Sequence, residues 1–187
     1  MPGAFRPPVA TVAAGDVLRR VHHHSRAPIW FGRRDGTWRF DDSDRTYGVA
    51  YFGRTTAAAL AETLLRDPGQ DKVLWSDVAS RREALIRAIQ PLRLATVHGP
   101  GLSYFAIQQS DVVASAYDVP QAISARVHNE TPLDGIQYRS RFDSDELCVA
   151  LFERASPKIE LVAGGLSLDR AMVSDFLRVR GKRLAGR

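Results

Sequence analysis

The stretch "GIQYRSRFDSDELCVALFER", residues 135–154, decides the fold class. Its two ends carry strand patterns and its middle is polar, turning through Asp143-Ser144-Asp145. Two strand patterns joined by a short polar turn pair as an antiparallel hairpin. Upstream, "VLRRVHHH" (17–24), "YGVAYFG" (47–53) and "PLRLATVHG" (91–99) also read as strands, and "IELVA" (159–163) adds another downstream. Helical patterns lie between them. One starts at Thr55 or Thr56 as N-cap and stops before Pro68-Gly69. A second helical region is expected over 76–90, and short helices near 103–109 and 120–129, the last opened by Pro120. "SLDRAMVSDFLRVRGKR" (167–183) closes the chain as an amphipathic helix with Ser167 at its cap. Strands that interleave with short helices and end in a hairpin predict a single α+β domain with mostly antiparallel pairing.

The 187 residues suit one core. The expected organisation is a mobile N-terminal arm at 1–16, the main domain at 17–166, and the helix with a basic tail at 167–187. No apolar run is long enough to span a bilayer, and the N-terminus lacks the pattern of a secretory signal. One cysteine, Cys148, rules out a disulfide within the chain, and a cytoplasmic setting is expected. The net charge of +5 sits in the tail: Arg178, Arg180, Lys182, Arg183 and Arg187 follow the last acidic residue, Asp175. The rest of the chain balances 21 basic against 21 acidic residues. A solvated, frayed end is the plain expectation for such a tail.

The strand 47–53 and the helix after it hold the residues of chemical interest. By alternation, Val49, Tyr51 and Gly53 share one face and Ala50 and Phe52 the other. On a helical wheel Glu62 falls just beyond the apolar arc formed by Leu60, Leu64 and the alanines. It reads either as a surface partner of Arg66 at i,i+4 or as a carboxylate with room for a ligand beside it. Arg20 and Arg39 pose the same choice, because a guanidinium fork clamps phosphate oxygens well. Ser140 reads as an outward strand position. The segment 27–40, aromatic and arginine-rich, suggests a loop or short hairpin over a site. His22 to His24 cannot converge on one ion from a strand, so no metal is expected. Cys148, inside "LCVALF", reads as a packed thiol. Neither a G-x-G-x-x-G turn, a P-loop nor a G-x-S-x-G elbow is present.

"RFDDSDRTYGVAYFGRTTAAALAETLLRD" (39–67) resembles the core of the RES domain, with Arg39-Phe40, Tyr51 and Glu62 at the matching positions. The 135–154 hairpin is similar to the one that supplies the family's serine, here Ser140. "VLRRVH" resembles the opening strand, whose arginine is Arg20. The likeness runs over roughly 17–163. "RAPIWFGRRDGTW" (26–38) has no matching pattern, so Arg33 and Arg34 receive no role. The resemblance implies an ADP-ribosyltransferase-like fold and a toxin of a bacterial toxin–antitoxin pair. It implies NAD as substrate without a metal, and an Xre-like antitoxin whose helix-turn-helix binds DNA. The C-terminal helix is one candidate surface for that antitoxin. By the same resemblance Glu62 stabilises charge on the ribose, Tyr51 orients nicotinamide, and Arg20 and Arg39 grip the phosphates. Ser140 bonds NAD or positions Glu62. The ADP-ribosyl acceptor stays open between a protein, water and phosphate. A non-catalytic nucleic-acid-binding module is the competing class.

Overall fold

The fold is described from a computed structural model, over residues 5–186. In chain order its elements are β1 (Val9–Val12), β2 (Val17–His23), β3 (Val49–Gly53), α1 (Thr56–Leu64), β4 (Lys72–Leu74) and α2 (Trp75–Ala79). β5 (Arg81–Ala88), β6 (Leu92–Val97), α3 (Pro100–Tyr104), α4 (Gln109–Val113) and α5 (Asp118–Glu130) follow. The chain ends with β7 (Gly135–Arg139), β8 (Leu147–Phe152), a 3-10 turn, β9 (Ile159–Ser167), α6 (Arg170–Arg178) and β10 (Arg183–Ala185). Among the described residues one eight-stranded sheet runs β1-β6-β7-β8-β3-β2-β5-β9, and β10 pairs with β4 in a second, two-stranded one. Within the large sheet only β6 and β7 run parallel, so the α+β, mostly antiparallel expectation holds. The 135–154 hairpin forms with Gly135 opposite Leu151 and Arg139 opposite Leu147.

β3 lies near the middle and separates two cores as its alternation predicts. Val49 packs with Phe40, Val127 and Tyr138 on one face, while Ala50 and Phe52 pack with Leu18, Ile86 and Leu94 on the other. α1 and α6 share a third core with Val21, Val73 and Val78. α1 opens where Thr55 accepts a hydrogen bond from the Ala58 amide at 2.9 Å. The Thr55 hydroxyl also donates to Glu146 at 2.5 Å, and Thr56 donates to Glu83 at 2.7 Å, which ties the helix start to the hairpin turn and to β5. Gly53 lets this helix approach the strand. A β-carbon there would stand 2.6 Å from the Ala59 nitrogen and 2.8 Å from Thr55 O.

Several expectations need correction. The region 76–90 is helical only over α2; Arg81–Ala88 is a strand paired with β2 on one side and β9 on the other. Alanine, glutamate and arginine favour helix locally, but Ala84, Ile86 and Ala88 are buried in a period of two, and pairing on both edges overrides propensity. The arm at 1–16 contributes β1, antiparallel to β6 with Val12 fully buried; its residues 1–4 lie outside the described residues. α6 is capped by Asp169, whose carboxylate accepts from the Met172 amide at 2.7 Å, because Ser167 still belongs to β9. Its apolar face is covered: Val173 and Leu177 are fully buried. The basic tail is anchored rather than frayed. Arg180 pairs with Asp143, Lys182 donates to the carbonyls of Asp67, Pro68 and Gln70, and Arg183 begins β10. Arg187 lies outside the described residues.

Candidate active site

β2 and β3 share a single register pair, Arg19 opposite Gly53. Each is fully laddered on its other side, β2 to β5 and β3 to β8. A cavity of about 730 Å³ opens where the two strands face each other, in the size range of small-molecule sites. Its walls come from β2, β3, α1, the 26–39 loop and the β7–β8 turn. The loop is pinned in place: Gly48 allows Phe31 O to pass where a β-carbon would stand 2.3 Å away. Gln121 donates to Gly36 O and Trp38 O, and Arg34 pairs with Glu153 at 2.5 Å. That pair gives Arg34 a structural anchor, and Arg33 is exposed away from the cavity wall.

Four of the five residues singled out by sequence line this cavity: Arg20, Arg39, Tyr51 and Glu62. Glu62 has no ion pair with Arg66, whose Nε donates instead to the Glu62 carbonyl at 2.8 Å. The Arg66 guanidinium lies over Trp38, 5.0 Å from the ring centroid. Glu62 Oε1 is buried without a hydrogen-bond partner among the described residues. The surface-pair reading therefore fails, because α1 turns this face toward Cys148 and Tyr138 in the interior. There the Glu62 charge adds to burial in pushing the Tyr138 phenol and the Cys148 thiol upward.

The Tyr51 hydroxyl donates to Asp41 Oδ1 at 2.9 Å and accepts from the Phe40 amide at 2.9 Å. Asp41 Oδ2 accepts from the Trp38 amide at 2.9 Å. Tyr51 thus clasps the turn that carries Arg39, which is 8% exposed with its guanidinium 5.3 Å from the Tyr117 ring centroid. Burial lifts the Tyr51 phenol well above its ordinary value, so it stays a donor and is no base. Burial lifts the Asp41 carboxyl as well, against the hydrogen bonds it accepts. Arg20 donates to Trp30 O at 3.3 Å and has no carboxylate partner among the described residues. Burial and the Arg26 charge pull it down to about 10, which leaves it cationic at neutral pH. Ser140 stands behind the wall, 2% exposed, its hydroxyl accepting from the Phe142 amide at 3.2 Å. It shapes the turn that presents Arg141 and Phe142 to the cavity.

Sequence reasoning missed Arg19, Arg26, Arg66, Arg81 and Arg141 as cavity residues. Among the described residues, seven arginines line the cavity against one carboxylate, Glu62. Arg81 was hidden by the helical reading of 76–90, and Arg26 lay in the unmatched loop. Such a wall suits an anionic ligand whose reacting end develops positive charge. Cys148 is fully buried and its thiol is pushed up by burial and by the Glu62 and Glu146 charges. Iodoacetamide is therefore expected to leave Cys148 unmodified in the native protein and to label it after denaturation, as read by intact mass. His22 is 6% exposed, with its ring nitrogens 3.0 Å from His23 O and 3.1 Å from Gly164 O.

The fold is similar to that of a chain in the crystal structure of the M.tuberculosis MbcT-MbcA toxin-antitoxin complex, with a TM-score of 0.69 at 13% identity. That match covers 90% of this chain and 92% of the other. No curated protein matches the chain. The RES domain family model matches residues 17–169, a span that holds all five residues picked out from the sequence, and the chain belongs to the RES domain family.

Proposed function

We propose that the chain is the toxin of a toxin–antitoxin pair, that it cleaves the nicotinamide–ribose bond of NAD, and that it transfers ADP-ribose to a target protein. The observation that carries this reading is Glu62 Oε1, buried without a hydrogen-bond partner among the described residues, in an arginine-lined cavity. As the glycosidic C–N bond breaks, its electron pair neutralises the pyridinium nitrogen and nicotinamide leaves uncharged. Positive charge develops on the ribose, as in glycoside cleavage, and Glu62 stabilises it in a site of low dielectric. Arg20 and Arg39 hold the pyrophosphate through charge-assisted hydrogen bonds. The acceptor then bonds to the ribose anomeric carbon and gives up its proton. Tyr51 holds the turn bearing Arg39 and offers its ring as one wall for nicotinamide. Ser140 acts through the turn at Arg141 and Phe142.

Two finer assignments belong to the same reading. Transfer to water or phosphate makes the protein an NAD glycohydrolase or phosphorylase. The partner is an Xre-like antitoxin in the cytoplasm, and DNA is reached through its helix-turn-helix alone. The anchored tail favours this over a nucleic-acid-binding module, since Arg180 and Arg183 are answered by Asp143 and Asp71. The test is to incubate the purified protein with NAD and to follow free nicotinamide and product mass. Separate tubes contain buffer, phosphate and a cell lysate. Release of nicotinamide supports the reading, and the product mass assigns the acceptor; absence of release in every tube removes it. Tyr51→Phe is expected to raise KM several-fold with a smaller change in kcat. It removes the partner of Asp41 Oδ1 and of the Phe40 amide, at a cost of about 1–3 kcal/mol, which thermal melting will register.

A further inference from the structure

The pyrophosphate of a dinucleotide brings two negative charges, and the proposed roles of Arg20 and Arg39 answer them. The cavity holds more positive charge than that. Arg26, Arg66 and Arg81 also line it, and none of the three has an ion pair among the described residues. They come from three separate segments: the loop after β2, the turn after α1 and the first residue of β5. Arg26 is braced over Trp30, 6.0 Å from the ring centroid, and Arg66 over Trp38. Arg81 Nε is buried without a partner among the described residues. Burial, Arg66 and Arg26 together pull the Arg81 guanidinium below its ordinary value, with Asp77 opposing. Like charges that act on one another in this way repel until an anion sits among them. A phosphate monoester is the anion that suits several converging guanidinium forks, because it carries nearly two charges on three acceptor oxygens.

We propose that Arg26, Arg66 and Arg81, with His23 and Ser25 beside them on the cavity wall, form a phosphomonoester subsite, so that the preferred substrate is an adenine dinucleotide bearing a 2′-phosphate. This rests on the NAD-cleaving reading of the same cavity. The subsite and the Glu62 end belong to one continuous space, which is what a single ligand with both groups requires.

The test compares NAD with NADP in phosphate-free buffer by nicotinamide release, and ADP-ribose with 2′-phospho-ADP-ribose by calorimetry. The wild type, Arg81→Gln and the surface variant Arg66→Gln are measured side by side. A kcat/KM for NADP about tenfold or more above that for NAD is expected, as is a similar gap in Kd, from one or two added charge-assisted bonds. Each variant is expected to bring the NADP-to-NAD ratio toward one. Equal values for the two dinucleotides, or a preference that survives both variants, overturn the subsite. So does added inorganic phosphate that accelerates release from NAD and appears in the product, which assigns the cluster to an acceptor. If neither dinucleotide releases nicotinamide, the cleavage reading falls and calorimetry decides the subsite. Tighter binding of 2′-phospho-ADP-ribose keeps it, and equal or absent binding removes it.

Discussion

Glu62→Gln is expected to lower nicotinamide release by about 10²–10³-fold in kcat, the range seen when one preorganised electrostatic group is lost from a transition state. The substitution keeps size and shape and removes the charge, so substrate binding through the arginines changes little and KM stays within a few-fold. Stability is expected to move the other way. Glu62 Oε1 is buried with no hydrogen-bond partner among the described residues, and an unanswered buried group of this kind costs about 1–3 kcal/mol. Removing its charge leaves the melting temperature unchanged or raises it, the usual exchange between activity and stability at a strained site. Kinetics and a thermal melt on the same sample check both halves. A large drop in melting temperature with the loss of activity makes Glu62 a structural group instead.

Gly53→Ala is expected to have a large effect on folding for a change of one methyl group. The new carbon would meet the Ala59 nitrogen, Ala58 Cβ and Thr55 O, all within 2.8 Å, and two of these are backbone atoms. Neither rotamer change nor side-chain motion relieves such a clash, so α1 must move off β3. Overpacking of this kind costs about 1–3 kcal/mol, which for a chain of this size lowers the melting temperature by roughly 2–12 °C. The same shift carries Glu62 away from Tyr51, so the folded remainder is expected to lose activity at saturating substrate. Gly53→Ala protein that melts like wild type would show that the approach of α1 is not tight.

The strand, turn and helix around Tyr51 and Glu62 were legible because local signals agreed. β-branched and aromatic residues, a threonine cap and a proline-glycine stop all pointed one way. The two-faced burial of β3 followed from alternation alone. The 76–90 region was not legible, since its propensity is set locally while its partners, β2 and β9, lie far off in the chain. The seating of the tail depended likewise on Asp143 and on the carbonyls of 67–70, which no nearby residue announces. At the site, the wheel placed Glu62 at an edge but could not say that the edge faces inward. Ser140 was read as outward because strand alternation does not describe a residue already entering a turn.

The single rung between β2 and β3 has a consequence for how the pocket can change over time. Beyond Arg19 and Gly53 the facing edges of 20–23 and 49–52 belong to no ladder. A sheet normally spends such amides and carbonyls on its neighbour; here they border the cavity, where the Thr63 hydroxyl donates to Val21 O at 3.4 Å and the Arg26 amide to His23 O at 2.9 Å. A ligand therefore meets peptide groups as well as side chains, and peptide groups are the same whatever residue bears them. Lineages that keep the parting of these two strands can replace most of the surrounding side chains and still offer the same main-chain donors and acceptors.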